Sequence, residues 1–267
     1  MIRRSAAALA LLAALALPAR AGAAPGRLHL AIPLERISLA VAQAARLAPH
    51  LGPGDALVLV LGPRDSLWRL LVALDRIHRR DPVPTLMVLA RGTAQIRRVA
   101  PVLPPFVHWV GDDYEPGYEP GFSPRPQAVA HEFLADTRAL ALFGLRLFVA
   151  PAVDVLSSPA RVGWTLTQAA RRVPWIMPQT QYLSRRPRHF LALAQRLVRG
   201  SPPRIRIWPE VTLGSPLDPR TPNAASLDRV RRDLAELRSH GFAGALLWHR
   251  PSSVQEVLTL LVQMRGP

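Results

Sequence analysis

Residues 56–92, ALVLVLGPRDSLWRLLVALDRIHRRDPVPTLMVLARG, hold the unit from which the whole chain can be read. An apolar run, ALVLVLG at 56–62, precedes a helix-like stretch from Ser66 to Arg79, and a second apolar run, TLMVLARG, follows at 85–92. Within the middle stretch Leu67, Leu70, Leu71, Leu74 and Ile77 recur at helical spacing, which makes one apolar stripe. The turn Asp81-Pro82-Val83-Pro84 separates helix from strand. Strand, helix, strand implies parallel pairing, because a parallel neighbour needs a crossover and a helix is the usual one.

The alternation continues on both sides. LHLAIPLE (28–35) comes before it. VHWVGDDYEPG (107–117), RLFVAPAVDVL (146–156), PWIMPQTQYL (174–183), RIRIWPEVTLG (204–214) and FAGALLWHRP (242–251) come after it. Eight such units in roughly 240 residues predict an α/β fold, a single-domain (β/α)8 TIM barrel over residues 27–267. Helices are expected at Ser38–Leu47 with Ser38 as N-cap, at Ser158–Arg172, at Pro187–Leu197 and at Ala225–His240 with Gly241 closing the last. In such a barrel the chemistry sits at the C-terminal ends of the strands.

Residues 1–23 read as a secretory signal peptide: Arg3 and Arg4, an apolar run from Ser5 to Leu17, and small-x-small sites at Ala19-Arg20-Ala21 and Ala21-Gly22-Ala23. An uncleaved anchor is the competing reading. Cleavage near residues 21–24 would leave an exported protein, periplasmic or extracellular, with no membrane span in the mature chain. The absence of cysteine excludes disulfides, thiolate metal sites and a cysteine nucleophile. The formal charge is +16, and all 34 basic residues are arginine. A lysine-free chain rich in Ala, Arg and Pro reads as codon bias, so nucleic acid is not the expected partner. An anionic cell-surface polymer suits an exported cation better.

Barrel strands are covered on both faces, so polar residues at their C-terminal ends stand out. Glu35, Arg91, the Asp112-Asp113-Tyr114-Glu115 run, Asp154, Gln179 with Gln181, and Glu210 occupy such ends, and strand 8 supplies Trp248 and His249. Strand alternation puts Asp113 and Glu115 on one face and Asp112 on the other. Two carboxylates this close tend to share a proton, which is what an acid catalyst of glycosidic cleavage requires. A solvated acidic loop or a cation site is the competing reading. For Glu210 the competing reading is an ion pair with Arg206 or Arg91. Gln179 and Gln181 have the period that lets both reach a polar ligand. Tyr118 and Phe122, in the long loop after strand 4, suit stacking on a sugar ring.

On these residues the chain resembles glycoside-hydrolase-type barrels over nearly all of the expected mature sequence. Chitinase-like family 18 enzymes end strand 4 in D-x-D-x-E and strand 8 in tryptophan. Asp113–Glu115 matches the final D-x-E, Gly111 stands where the first aspartate would be, and G-A-L-L-W at Gly244–Trp248 matches strand 8. That likeness implies Glu115 as the acid and Asp113 steadying a substrate acetamido group. Clan A glycosidases place glutamates at the ends of strands 4 and 7. Y-E-P at Tyr114–Pro116 and P-E-V at Pro209–Val211 stand there, with Tyr114 where that clan has asparagine. The chain also looks similar to exported bacterial barrel proteins with a D-Y-E-like strand 4.

The reading is an exported glycoside-hydrolase-like enzyme cleaving a cell-wall or environmental polysaccharide or oligosaccharide. Glu115 is the general acid, and Asp113 or Glu210 supplies the opposing charge. Glu35, Arg91, Asp154, Gln179, Gln181, Trp248 and His249 would bind substrate, with no cofactor and no metal. The alternative is a non-catalytic carbohydrate- or polyanion-binding barrel.

Overall fold

A computed structural model describes residues 27–80, 83–114, 126–152, 173–181, 183–200, 205–214 and 224–265. Nine strands form one sheet: β1 His29–Leu34, β2 Ala56–Val60, β3 Leu86–Ala90, β4 Trp109–Tyr114, β5 Arg146–Pro151, β6 Trp175–Ile176, β7 Arg206–Ile207, β8 Glu210–Leu213 and β9 Gly244–His249. The described helices are α1 Ile37–Leu47, α2 Leu67–Arg80, α3 Gly92–Val99, α4 Pro126–Ala141, α5 Pro187–Gly200, α6 Leu227–Ser239 and α7 Val254–Arg265. The helix expected at Ser158–Arg172 lies outside the described residues.

Every strand pair is parallel, in the order β7-β6-β5-β4-β3-β2-β1-β9-β8. The two ends of that order are neighbours in the chain, two residues apart, so the sheet closes on itself. The Trp208 and Glu210 N–H groups donate to Ile176 and Pro178 carbonyls at 2.9 Å, while the Pro209 carbonyl accepts from Leu246 N–H at 3.0 Å. One strand was expected over 204–214. It is divided because Pro209 has no N–H for the ladder to β9. The molecule is thus a single-domain TIM-type barrel.

Two details of the helices follow from local chemistry. Helix α1 begins one residue earlier than Ser38, at Ile37, whose side chain is buried; the N-cap is Arg36, with no side-chain cap. Ser38 lies inside the first turn and is not the expected N-cap. At the other end of the chain Gly241, at φ +81°, terminates α6 as expected. Its N–H donates to Arg238 O and that of Phe242 to Leu237 O, a Schellman pattern that only a left-handed residue completes easily.

The core has two parts. Leucine, isoleucine and valine on the outer strand faces pack under the helices. The barrel interior is filled by Val58, Met87, Leu89, Phe148, Trp175, Met177, Trp208 and Leu246. Its lower end is aromatic. Trp175 meets Trp208 and Trp109 edge-on at 4.6 and 5.1 Å, and the Arg206 and Arg146 guanidinium groups cover the Trp175 and Trp109 rings at 4.9 and 5.7 Å. So much ring volume fits because Ala31, Ala56, Gly111 and Gly244 face it.

Helix α4 carries a buried carboxyl, Asp136, whose Oδ2 accepts from the Thr93 hydroxyl at 3.0 Å. Burial pushes this group up to about 6, against the Thr93 hydrogen bond and Arg97, which pull it down. The folded state therefore holds the proton more tightly than the unfolded chain. This contribution to stability is present at acid pH and is lost as pH rises from about 4 to about 6. Asp136→Asn should remove that slope and raise stability at pH 7 by about 1–3 kcal/mol. Urea midpoints at pH 4.5 and 7 test it; an unchanged or lowered midpoint at pH 7 would contradict it.

Candidate functional site

The site is built from strand ends. In β4 the side chain of Asp113 points into the barrel and that of Asp112 points outward, as strand alternation requires. Asp112 Oδ1 accepts the Gly92 N–H at 2.8 Å, and Gly92 takes φ +74° to make the corner from β3 into α3. Asp112 thus fixes a turn and does not share a ligand site with Asp113. Among the described residues, no group of three or more His, Asp or Glu could hold a metal ion.

Asp113 is buried and held from two sides. Its Oδ1 accepts the Gln179 amide N–H at 3.0 Å, and that same nitrogen donates to Ala150 O at 3.1 Å. The Arg91 guanidinium lies 3.8 Å from Oδ2. An amide donor and a cation supply what a carboxylate anion accepts. Arg91 reaches this place because its backbone is extended at the start of α3, with its own N–H tied to Gln95 Oε1 at 2.6 Å.

Glu210, at the start of β8, is the second buried inward carboxyl. Thr212 Oγ1 donates to its Oε1 at 3.1 Å and Thr180 Oγ1 to its backbone carbonyl at 2.9 Å. The proposed ion pairs resolve differently: Arg91 belongs to Asp113, and Arg206 caps the tryptophan floor at the opposite end.

A third group joins β1 to β9. The Trp248 indole N–H donates to Glu35 Oε1 at 2.8 Å, and Arg250 lies 3.6 Å from Oε2. Trp248 packs on the barrel-interior cluster, so it is both wall and hydrogen-bond donor. Its neighbour His249 takes the opposite face of β9. There it is buried beneath the helices, with Nδ1 on the Arg250 carbonyl at 2.8 Å. Burial lowers its pKa, opposed by the Arg250 and Pro33 carbonyls and by Glu256. The structure does not bring His249 into the mouth.

Gln179 and Gln181 also separate. The chain leaves the sheet after an isolated bridge between Ala152 and Gln179, and Leu183 N–H closes a turn on Thr180 O. Gln181 therefore sits in a turn, its Oε1 buried without a hydrogen-bond partner among the described residues. Glu115, Tyr118, Phe122 and Asp154 lie outside the described residues.

The mouth thus gathers Asp113, Arg91 and Gln179 on one side, Glu210 and Thr212 on another, and Glu35, Trp248 and Arg250 on a third. Thr212, Thr180 and Arg250 were not anticipated. Thr212 was legible, since it stands two residues after Glu210 in the same strand. Tyr114, facing outward on β4, packs on Phe133 at 4.9 Å; burial, then Glu132 and Asp112, raise its pKa.

No protein-family model matches the chain, and no curated protein does. Solved structures match its fold. A mutant tryptophan synthase α-subunit from Pyrococcus furiosus superposes with TM-score 0.58 at 10% identity, over 91% of this chain and 98% of that one. An oxaloacetate acetylhydrolase gives 0.53 at 14%, over 90% and 82%. An α-amylase from Lactobacillus plantarum gives 0.53 at 9%, over 91% and 81%. At these identities the likeness is one of TIM-barrel architecture, shared by enzymes of several kinds.

Proposed function

We propose that the chain is a glycoside hydrolase of an exported protein, cleaving a cell-wall or environmental polysaccharide at the C-terminal mouth of the barrel. The observation that carries this reading is the pair of buried, inward carboxyls, Asp113 and Glu210, at the ends of β4 and at the start of β8. Each is held by a side-chain hydrogen bond, Asp113 by the Gln179 amide and Glu210 by the Thr212 hydroxyl.

In this mechanism Glu115, assigned from the sequence, gives its proton to the glycosidic oxygen as the bond to the anomeric carbon breaks. Asp113 or Glu210 faces the positive charge that develops on the sugar. Asp113 suits that role because Gln179 and Arg91 prevent it from turning away. Water then adds to the anomeric carbon and returns a proton to the carboxylate left on Glu115. Trp248 offers a ring for stacking, and Glu35 and Arg250 offer polar groups for sugar hydroxyls.

The test is release of reducing ends from a panel including chitin and peptidoglycan. Wild type should release them, Glu115→Gln should be slower by about a hundredfold or more, and Asp113→Asn should also be impaired. A wild-type chain that releases nothing but still binds glycans, unchanged by Glu115→Gln, would replace this reading with a carbohydrate-binding barrel.

A further inference from the structure

One surface feature is not used by the mouth chemistry. Trp68, in the first turn of α2, is 72% exposed, the largest ring on the described surface to stand so far out. It lines a cleft of about 280 Å3 between α1 and α2, floored by Ile37, Val41 and Val72 and flanked by Arg69 and Arg76. Neither arginine has an ion-pair partner among the described residues. The nearest acid on the helix, Asp75, is taken by Arg79 at 2.8 Å. The cleft opens at the barrel's catalytic end, because Ile37 follows Glu35 by two residues and α2 starts where β2 has left the sheet.

We infer that this cleft is a subsite for an acidic glycan, with Trp68 as the stacking platform and Arg69 and Arg76 as partners for uronate carboxylates. The inference rests on the carbohydrate reading of the mouth. An exposed indole is costly to leave in water and offers a flat apolar face of the size of a sugar ring. Guanidinium groups bind carboxylates with two parallel hydrogen bonds, so they select an acidic sugar over a neutral one. A cleft of this volume accepts a monosaccharide-sized group. A membrane surface fits less well. Lipid insertion needs a broad projecting apolar face, whereas here Ile37, Val41 and Val72 are buried or half-buried and Trp68 is the one exposed apolar side chain of a cleft that two arginines also line.

A galacturonic acid hexamer, its methyl-esterified form and vesicles containing phosphatidylglycerol are the probes, with tryptophan fluorescence and calorimetry as readouts. The acid hexamer should bind wild type, at least tenfold more tightly than the ester, and more weakly as salt rises. Trp68→Ala should weaken binding about tenfold. Arg69→Gln with Arg76→Gln should abolish the preference for the acid over the ester. Equal affinity for acid and ester, or binding unaffected by Trp68→Ala, would overturn the inference. Vesicle binding lost in Trp68→Ala, without hexamer binding, would overturn it in favour of a membrane patch. Asp113→Asn and Glu115→Gln separate this from the catalytic reading: they should leave the acid preference intact even if no substrate is cleaved.

Discussion

Asp55→Ala should destabilise the fold by about 3–5 kcal/mol, since it breaks a buried ion pair from one side. Asp55 is fully buried at the N-terminal end of the barrel. Its Oδ1 accepts the Leu30 N–H at 2.8 Å and its Oδ2 the Gly52 N–H at 2.7 Å. Arg27 and Arg265 stand 3.1 and 2.5 Å from Oδ2. One carboxylate thus ties the start of β1, the turn before β2 and the end of α7, positions that are distant in sequence. Alanine would leave two guanidinium groups and two N–H donors without their acceptor, and Arg265 is itself largely buried. Burial lowers the pKa of Arg265, Asp55 opposes this, and Arg27 adds to the lowering. Urea unfolding followed by circular dichroism measures the loss. A change below about 1 kcal/mol would show that water or rearrangement replaces the carboxylate.

Gly111→Asp should cost more than about 4 kcal/mol and leave little folded protein. A Cβ at this position would lie 2.2 Å from Phe148 Cζ, far inside any real contact. Phe148 is buried in the barrel interior near Trp175, ring centroids 6.5 Å apart, so its ring can yield only by displacing packed neighbours. Aspartate would add an uncompensated charge to the overlap. Gly111→Ala isolates the steric part and should cost about 2–3 kcal/mol. In a Phe148→Leu background that cost should fall by about half, a coupling that a double-mutant cycle reads directly. Additive losses would mean that the overlap is relieved elsewhere. The position also explains a departure from the chitinase-like strand 4 pattern. The first aspartate of D-x-D-x-E would project into the space that Phe148 fills, so this barrel has glycine there.

The strand and helix runs were legible because burial on both faces of a parallel strand writes a continuous apolar run, and burial on one face of a helix writes a stripe. That Asp112 and Asp113 take opposite faces of β4 was legible too, since alternation is a local property of extended chain. That local rule failed at Gln181, where a turn on Thr180 ends the extended backbone that the rule assumes. It also could not say which of Trp248 and His249 lines the mouth. Alternation makes two faces, but which one turns inward is set by how β9 is registered between β1 and β8.

From its own residues, then, the chain specifies an eightfold alternation, hence a closed parallel barrel, and the end at which its polar groups collect. Periodicity is written over neighbouring positions, so it survives in one dimension. Partnership is not. Arg91 joined to Asp113, Trp248 to Glu35, Thr212 to Glu210 and Asp55 to Arg27 and Arg265 depend on strand stagger, on the division at Pro209 and on which side chains fill the interior. Those choices are made by packing among residues that are far apart in sequence, and no local pattern records them.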